Sequence, residues 1–243
     1  MTIPIIVVFL SLACLLCPSV TVAELIEETN LDADARLAGW WRFDESAGTT
    51  AADSSKHGRA GKLTGGLSFD DHSVPGRVGK ALSFDGNDDL VQITGYKGVQ
   101  GTTPRTLSVW IKTEAVTGEI VSWGKEDFGQ MWKLEFIRKF MGVHPGGGYF
   151  YMAAEVHDNQ WHHIAAVTRE ADLPNLHDDA TLYLDGKIAE IHNIGILDLW
   201  PIETGSGLDV TIGTKFKGAI DELRVYDREL SEGEISRLYA AGN

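Results

Sequence analysis

Between residues 37 and 230 the chain is a succession of short runs rich in β-branched and aromatic residues, each closed by Gly, Asp, Asn or Ser, with almost nothing recurring at helical spacing. That pattern restricts the fold to an all-β sandwich or barrel. Residues 105–113 (RTLSVWIKT) put Leu107, Val109 and Ile111 on one face and Thr106, Ser108, Trp110 and Lys112 on the other, so one face is core and the other partly wet. Further strands are expected at 118–123, 131–137, 161–169, 209–214 and 219–226, and earlier at 40–43, 60–63, 81–84 and 90–93. Residues 180–184 and 187–192 flank Asp185-Gly186, a hairpin signal, because a type I′ turn needs positive φ at both central positions. Helical spacing appears only at the end. Ser231 precedes Glu234 by a capping-box interval, and Ile235, Leu238 and Tyr239 follow before Gly242.

The N-terminal segment sets the compartment. Residues 3–16 form an almost unbroken apolar run, and no charged side chain precedes Glu24. A membrane span needs about 20 apolar residues; this run is shorter and is followed by Thr21-Val22-Ala23, a small-x-small site of the kind signal peptidase cleaves. The reading is a signal peptide over 1–23 and a secreted product, extracellular or in the cell envelope. Because the segment lacks Lys and Arg, an uncleaved anchor is the alternative, and only then is a membrane a partner. Cys14 and Cys17 both lie in this segment, so the mature protein has no thiol and no disulfide. Residues 24–36 are charged and read as a flexible lead-in, and 37–243 as one domain long enough to bury a core unaided.

The formal charge of −14 falls wholly on residues from Glu24 onward. Phosphate backbones need a clustered basic field, so nucleic acid is excluded as a partner.

Five blocks in order carry a family likeness: GWWRFDESAGTTAADSS, GRVGKALSFDGNDDLV, TLSVWIKT, QWHHIAAV with TLYLDGK, and GAIDELRVYDRELSEGEISRLYAAG. Together they resemble the laminin-G-like (concanavalin A-like lectin and glucanase) jelly-roll domains of bacterial secreted proteins. The resemblance implies a two-sheet antiparallel jelly-roll sandwich with a short C-terminal helix. It also implies a concave sheet where such domains commonly bind glycans, but the fold hosts lectins, hydrolases and spacers alike.

Calcium is the expected cofactor, in a structural role. Asp221 places a carboxylate inside an otherwise apolar strand, which is costly unless a cation or several N–H donors meet it. Asp53 lies in a turn able to offer carbonyls. In domains the chain resembles, the aspartates of these two blocks often approach one calcium. The bland reading is that Asp221 accepts backbone N–H groups or pairs with Arg224, and that Asp53 caps a turn. The loop Asp85-Gly86-Asn87-Asp88-Asp89 is rich in oxygen donors but reads better as a turn.

Seven tryptophans are generous for this length, and sugars present apolar faces with polar edges. Trp110, Trp132, Glu135, Tyr149 and Tyr151 are the candidate ligand contacts, with Lys133 and His144 nearby; core packing is the alternative for the two tryptophans. Adjacent His162 and His163 point to opposite faces of a strand and read as structural. The acidic E-x-D-x-x-E strand of laminarinase-like relatives is absent, as are a nucleophile elbow and a zinc motif. The sequence therefore reads as a non-catalytic carbohydrate-binding or adhesion-type module whose partner is a glycan or an extracellular protein. The alternatives are an envelope interaction domain without a small-molecule site, and a glycan hydrolase with an unrecognised carboxylate pair.

Overall fold

The computed structural model describes residues 30–242, apart from the side chains of 193–196. The signal segment expected at 1–23 and its two cysteines lie outside the described residues. The first strands are β1 (Leu37–Trp41), β2 (Thr50–Ala51), β3 (Gly61–Thr64), β4 (Ser73–Pro75), β5 (Lys80–Asp85) and β6 (Leu90–Ile93). Next come β7 (Arg105–Lys112), β8 (Glu119–Gly124), β9 (Met131–Ile137), β10 (Phe140–His144) and β11 (Tyr149–Met152). The last are β12 (Trp161–Thr168), β13 (Ala180–Leu184), β14 (Lys187–Ile188), β15 (Ile191–Leu197), β16 (Leu208–Ile212) and β17 (Lys217–Tyr226). Two single-turn helices, α1 (Phe69–His72) and α2 (Leu176–Asp179), interrupt them, and α3 (Glu232–Ala241) closes the domain.

The strands pair antiparallel into two sheets. The back sheet runs β14-β13-β12-β7-β17-β5-β4, with β1 also on β17; the front sheet runs β15-β11-β10-β9-β8-β16-β6-β3-β2. Between them lies the main core. The back sheet contributes Leu107, Val109, Ile111, Ile164 and Ala166, and the front sheet Trp123, Trp132, Leu134 and Val143. The period-2 alternation of β7 is thus read as expected: its odd-numbered positions face inward.

The outer face of the back sheet is covered as well. Ala165, Val167, Tyr183 and Tyr226 pack under Ile235 and Leu238 of α3, with Leu31 and Leu37 in the same cluster. The Ser231 hydroxyl accepts from Glu234 N–H and the Glu234 carboxylate accepts from Ser231 N–H, so the expected capping box starts α3. Leu31 shows that the chain is packed from that residue onward, earlier than position 37, and a short 3-10 turn over Leu31–Ala33 leads into β1.

Four local outcomes bear on the strands and loops around the site. Asp185 and Gly186 both have positive φ, 50° and 76°, as the type I′ turn requires. The run expected as one strand at 187–192 is split: β14 stays in the back sheet, and β15 crosses to the edge of the front sheet. β10 and β11, joined through Pro145 and three glycines, carry weak strand signals yet lie in the front sheet between β15 and β9. Buried Arg105 has no carboxylate partner among the described residues; it donates to the carbonyls of Val99, Gly101 and Thr103 and to the Thr204 hydroxyl, which locks two loops together.

Candidate ligand-binding site

On β9, Trp132, Leu134 and Phe136 point into the core, so Lys133, Glu135 and Ile137 stand on the outer face of the front sheet. Register then assembles rows across neighbouring strands. Lys133 lies opposite His144, and Glu135 opposite Gly142, which in turn lies opposite Tyr151. The same register brings Tyr149 beside His144. The His144 ring sits 2.8 Å from the Glu135 carboxylate, and Lys133 donates to Glu119 on β8 at 2.6 Å. Burial pulls the Lys133 ammonium down, but the hydrogen bond and charge of Glu119 more than offset it, leaving Lys133 above its ordinary value. Tyr151 is stacked between Phe140, 5.5 Å away at 6°, and Tyr149, 5.8 Å away at 24°. Of the five expected ligand contacts, Glu135, Tyr149 and Tyr151 therefore share one face, although Tyr151 is itself covered by its neighbours.

At the His144 end of this face a cavity of about 430 Å³ is lined by Glu126, Asp127, Phe128, Met131, Lys133, His144, Gly146 and Gly147. Phe128, on its wall, is 61% exposed and stacks on Trp200, which is 47% exposed and lies outside the lining, with centroids 5.3 Å apart and planes at 9°. Three loops fix this pair. Gly129 N–H donates to Gly146, Met131 N–H to Pro145, and Glu203 N–H to Gly129. Gly147 has φ +70°, and a Cβ there would come within 2.3 Å of Phe128 Cδ1 and 3.1 Å of Trp200 Cδ1. Glycine is therefore what allows the turn to lie against the rings.

Trp132 is in the core, which corrects the expectation that it contacts ligand, and Trp110 lies away from this face, against a separate cavity shared with Trp40, Glu222 and Arg224. Trp132 is fully buried between the sheets because it falls on the inward phase of β9. Trp110 is 3% exposed on the outer face of the back sheet. Tyr239 of α3 stacks on it, and Gly242 lies so close that a Cβ would meet the indole at 2.7 Å. The polar neighbours that made its strand face look wet, Ser108 and Lys112, mark a face roofed by α3.

The sequence model of the concanavalin A-like lectin/glucanases superfamily matches residues 85–236, more than half of the chain. The chain belongs to that superfamily. No curated protein matches its sequence. Among solved structures, it is similar to domain 4 of AbnA, a GH43 extracellular arabinanase from Geobacillus stearothermophilus, in complex with arabinotriose. That match has 19% identity and a TM-score of 0.59, covering 84% of this chain and 98% of the other. It is also similar to the binding domain of Paraclostridial Mosquitocidal Protein 1, at 15% identity and TM-score 0.51, covering 82% and 53%. A third is the binding domain of botulinum neurotoxin DC in complex with rat synaptotagmin II, at 14% identity and TM-score 0.52, covering 83% and 52%. The chain spans about half of each toxin domain. At these identities the likeness establishes the fold.

Within this superfamily fold the two aspartates named for calcium have different surroundings. Asp53 accepts from Trp40 N–H, Ser55 N–H, the Ser55 hydroxyl and Arg59 N–H, so both its oxygens serve the turn. Asp221 is fully buried; its Oδ2 accepts from the N–H groups of Arg77 and Val78 at 2.7 and 2.9 Å, while its Oδ1 has no hydrogen-bond partner among the described residues. Burial, together with the charges of Glu222 and Asp44, pushes the Asp221 carboxyl up to about 7 despite the backbone donors. Arg224 pairs with Glu222 and Asp32 instead. Among the described residues, the hydrogen-bond partners of Asp53 and those of Asp221 are different. Asp44, which accepts from Lys80 N–H and pairs with Arg42, lies across the tight Gly76–Gly79 turn from Asp221.

Phe128 and Trp200 are the functional candidates that strand patterning missed. Each lies between strands beside a residue that bends the chain, Phe128 before Gly129 and Trp200 before Pro201. An aromatic ring next to Gly or Pro in a loop is the signal that marks them, since it has no strand phase to bury it.

Proposed function

We propose that this protein is a secreted carbohydrate-binding or adhesion-type module without catalytic activity, whose ligand occupies the outer face of the front sheet beside Phe128 and Trp200. The observation that carries this reading is the exposed Phe128–Trp200 stack, whose Phe128 ring lines a cavity that Lys133 and His144 also line. Aromatic faces with a few convergent polar groups are how a protein holds a sugar ring. The arabinotriose in the AbnA domain 4 structure supports a sugar as the ligand class. Secretion is supported by the apolar run at 3–16 and the small-x-small site before Glu24. Glu119 and Glu135 lie opposite each other, but one is engaged by Lys133 and the other by His144, which favours binding over acid–base work.

A structural calcium at Asp221 belongs to the same proposal. One buried oxygen suits a hard cation: Asp221 Oδ1 has no hydrogen-bond partner among the described residues, and Asp44, which pairs with Arg42, lies across the Gly76–Gly79 turn. Asp221, with Asp44, would hold it, while Asp53 would support the adjoining turn. The ion would supply counter-charge to a buried carboxylate. The function is tested by glycan-array binding of the full chain, with product analysis of every bound glycan. Binding without cleavage supports it, and either turnover or no binding overturns it.

A second reading, an interface for an extracellular protein, is favoured by Leu173, Leu197 and Leu199, which are exposed on segments neighbouring Trp200. Pull-down of a protein ligand lost on Leu199→Ser, with glycan binding absent, would select it.

A further inference from the structure

We propose that the Phe128–Trp200 platform and its cavity select uncharged sugars and reject uronic, sialic, sulfated or phosphorylated ones. This deepens the glycan-binding reading and rests on it.

Four features of the site point the same way. First, the platform is a pair of near-parallel rings, and the face of an aromatic ring carries negative charge density. It attracts the polarised C–H groups of a sugar and repels an anion. Second, the cavity's own carboxylates, Glu126 and Asp127, stand beside the rings. Third, the groups that could receive an anion are already engaged. Lys133 donates to Glu119 at 2.6 Å, His144 meets Glu135 at 2.8 Å, and Lys125 at the loop base meets Asp127 at 3.0 Å. An incoming carboxylate or sulfate that displaced Glu119 or Glu135 would leave a largely buried carboxylate without its partner, and one that joined the pair instead would sit against that carboxylate's negative charge. Fourth, the −14 net charge repels anionic polymers before contact.

A neutral polyol meets none of these penalties. Its hydroxyl groups both donate and accept, so they can bridge the Lys133 N–H groups and the Asp127 or Glu126 oxygens without displacing either partner. Met131 gives the cavity an apolar floor for the ring face.

The test is affinity electrophoresis of the full chain in gels containing neutral polysaccharides (linear arabinan, xylan, galactomannan, mixed-linkage glucan) or anionic ones (polygalacturonate, alginate, dextran sulfate), at low and high salt. The expected result is retardation by at least one neutral polymer, insensitive to salt, and none by the anionic set. Trp200→Ala and Phe128→Ala should each weaken retardation about tenfold while melting at the wild-type temperature, because both rings are largely exposed. Salt-sensitive retardation by an anionic polymer, lost on Lys133→Gln, overturns the selectivity while glycan binding stands. Neutral binding that survives both aromatic substitutions but fails with Tyr149→Ala overturns the platform. Silence toward every polymer removes the glycan reading together with this one.

Discussion

Trp110 and Tyr239 stack with ring centroids 5.6 Å apart and 24° between planes, so the C-terminal helix is fastened to the back sheet by an aromatic contact. Trp110→Ala should therefore cost about 3 kcal/mol or more, as deletion of a buried indole does, and leave glycan affinity unchanged where the protein is folded. Urea denaturation and a binding isotherm on the same variant check both halves. A loss of affinity with intact stability would return Trp110 to the ligand site.

Beneath that stack, His163 Nε2 meets Ser108 Oγ at 2.8 Å, and its Nδ1 has no partner among the described residues. Burial pushes the ring down to about 4, with the Arg224 charge adding to the effect and Asp185 opposing it. The folded state thus holds fewer protons than the unfolded chain. Its stability is present above the ordinary value near 6.5 and is lost as pH falls from there through about 4. His163→Gln should flatten that part of a melting-temperature profile; an unaltered slope would place the titration elsewhere.

Arg228 joins the two ends of the fold, donating to Asp34 and Glu234 at 2.6 Å each. The Arg228 hydrogen bond holds the Glu234 carboxyl down to about 2, helped by Ser231 and opposed by partial burial. Stability from this group is present above its ordinary 4.5 and is lost as pH falls toward 2. Glu234→Gln should cost about 1 kcal/mol at neutral pH and remove the acid-side loss, as read by calorimetry across that range.

Asp221 gives the opposite sign. Its raised value means that, in chelator, stability is fully present below 3.8 and falls as pH rises through about 7. Calcium should raise the melting temperature, increasingly so toward and above that pH, by binding the native state. Asp221→Asn should lose both the slope and the calcium response. A calcium shift that persists in the variant would move the ion to another site.

Gly147→Ala should weaken neutral-glycan binding by displacing Phe128, since its Cβ would lie 2.3 Å from that ring. The positive φ adds a strain of about 1 kcal/mol, measurable by urea denaturation. Full affinity in this variant would mean that the ring pair adapts freely.

Strand phase was legible wherever alternation was strong. β9 and β13 begin and end where patterning puts them, and the inward residues of β7 are those expected. What periodicity cannot report is what lies on an outward face. The outer residues of β7 look as polar as those of β9, yet α3 covers the first and solvent meets the second, a difference set by where residues more than a hundred positions away come to pack. For the same reason Asp221 was recognisable as a costly carboxylate, whereas its neighbour Asp44 was not, because the Gly76–Gly79 turn that brings them near is a long-range contact.

The antiparallel pairing of β1 with β17, and the gathering of Leu31, Leu230 and Leu238 into one small cluster, set the way in and the way out of the folded unit side by side on the back sheet. The cavity occupies the opposite flank. The first strand and the last helix lean on the same few apolar side chains, so a substitution that loosens Leu31 or Leu230 would fray both at once.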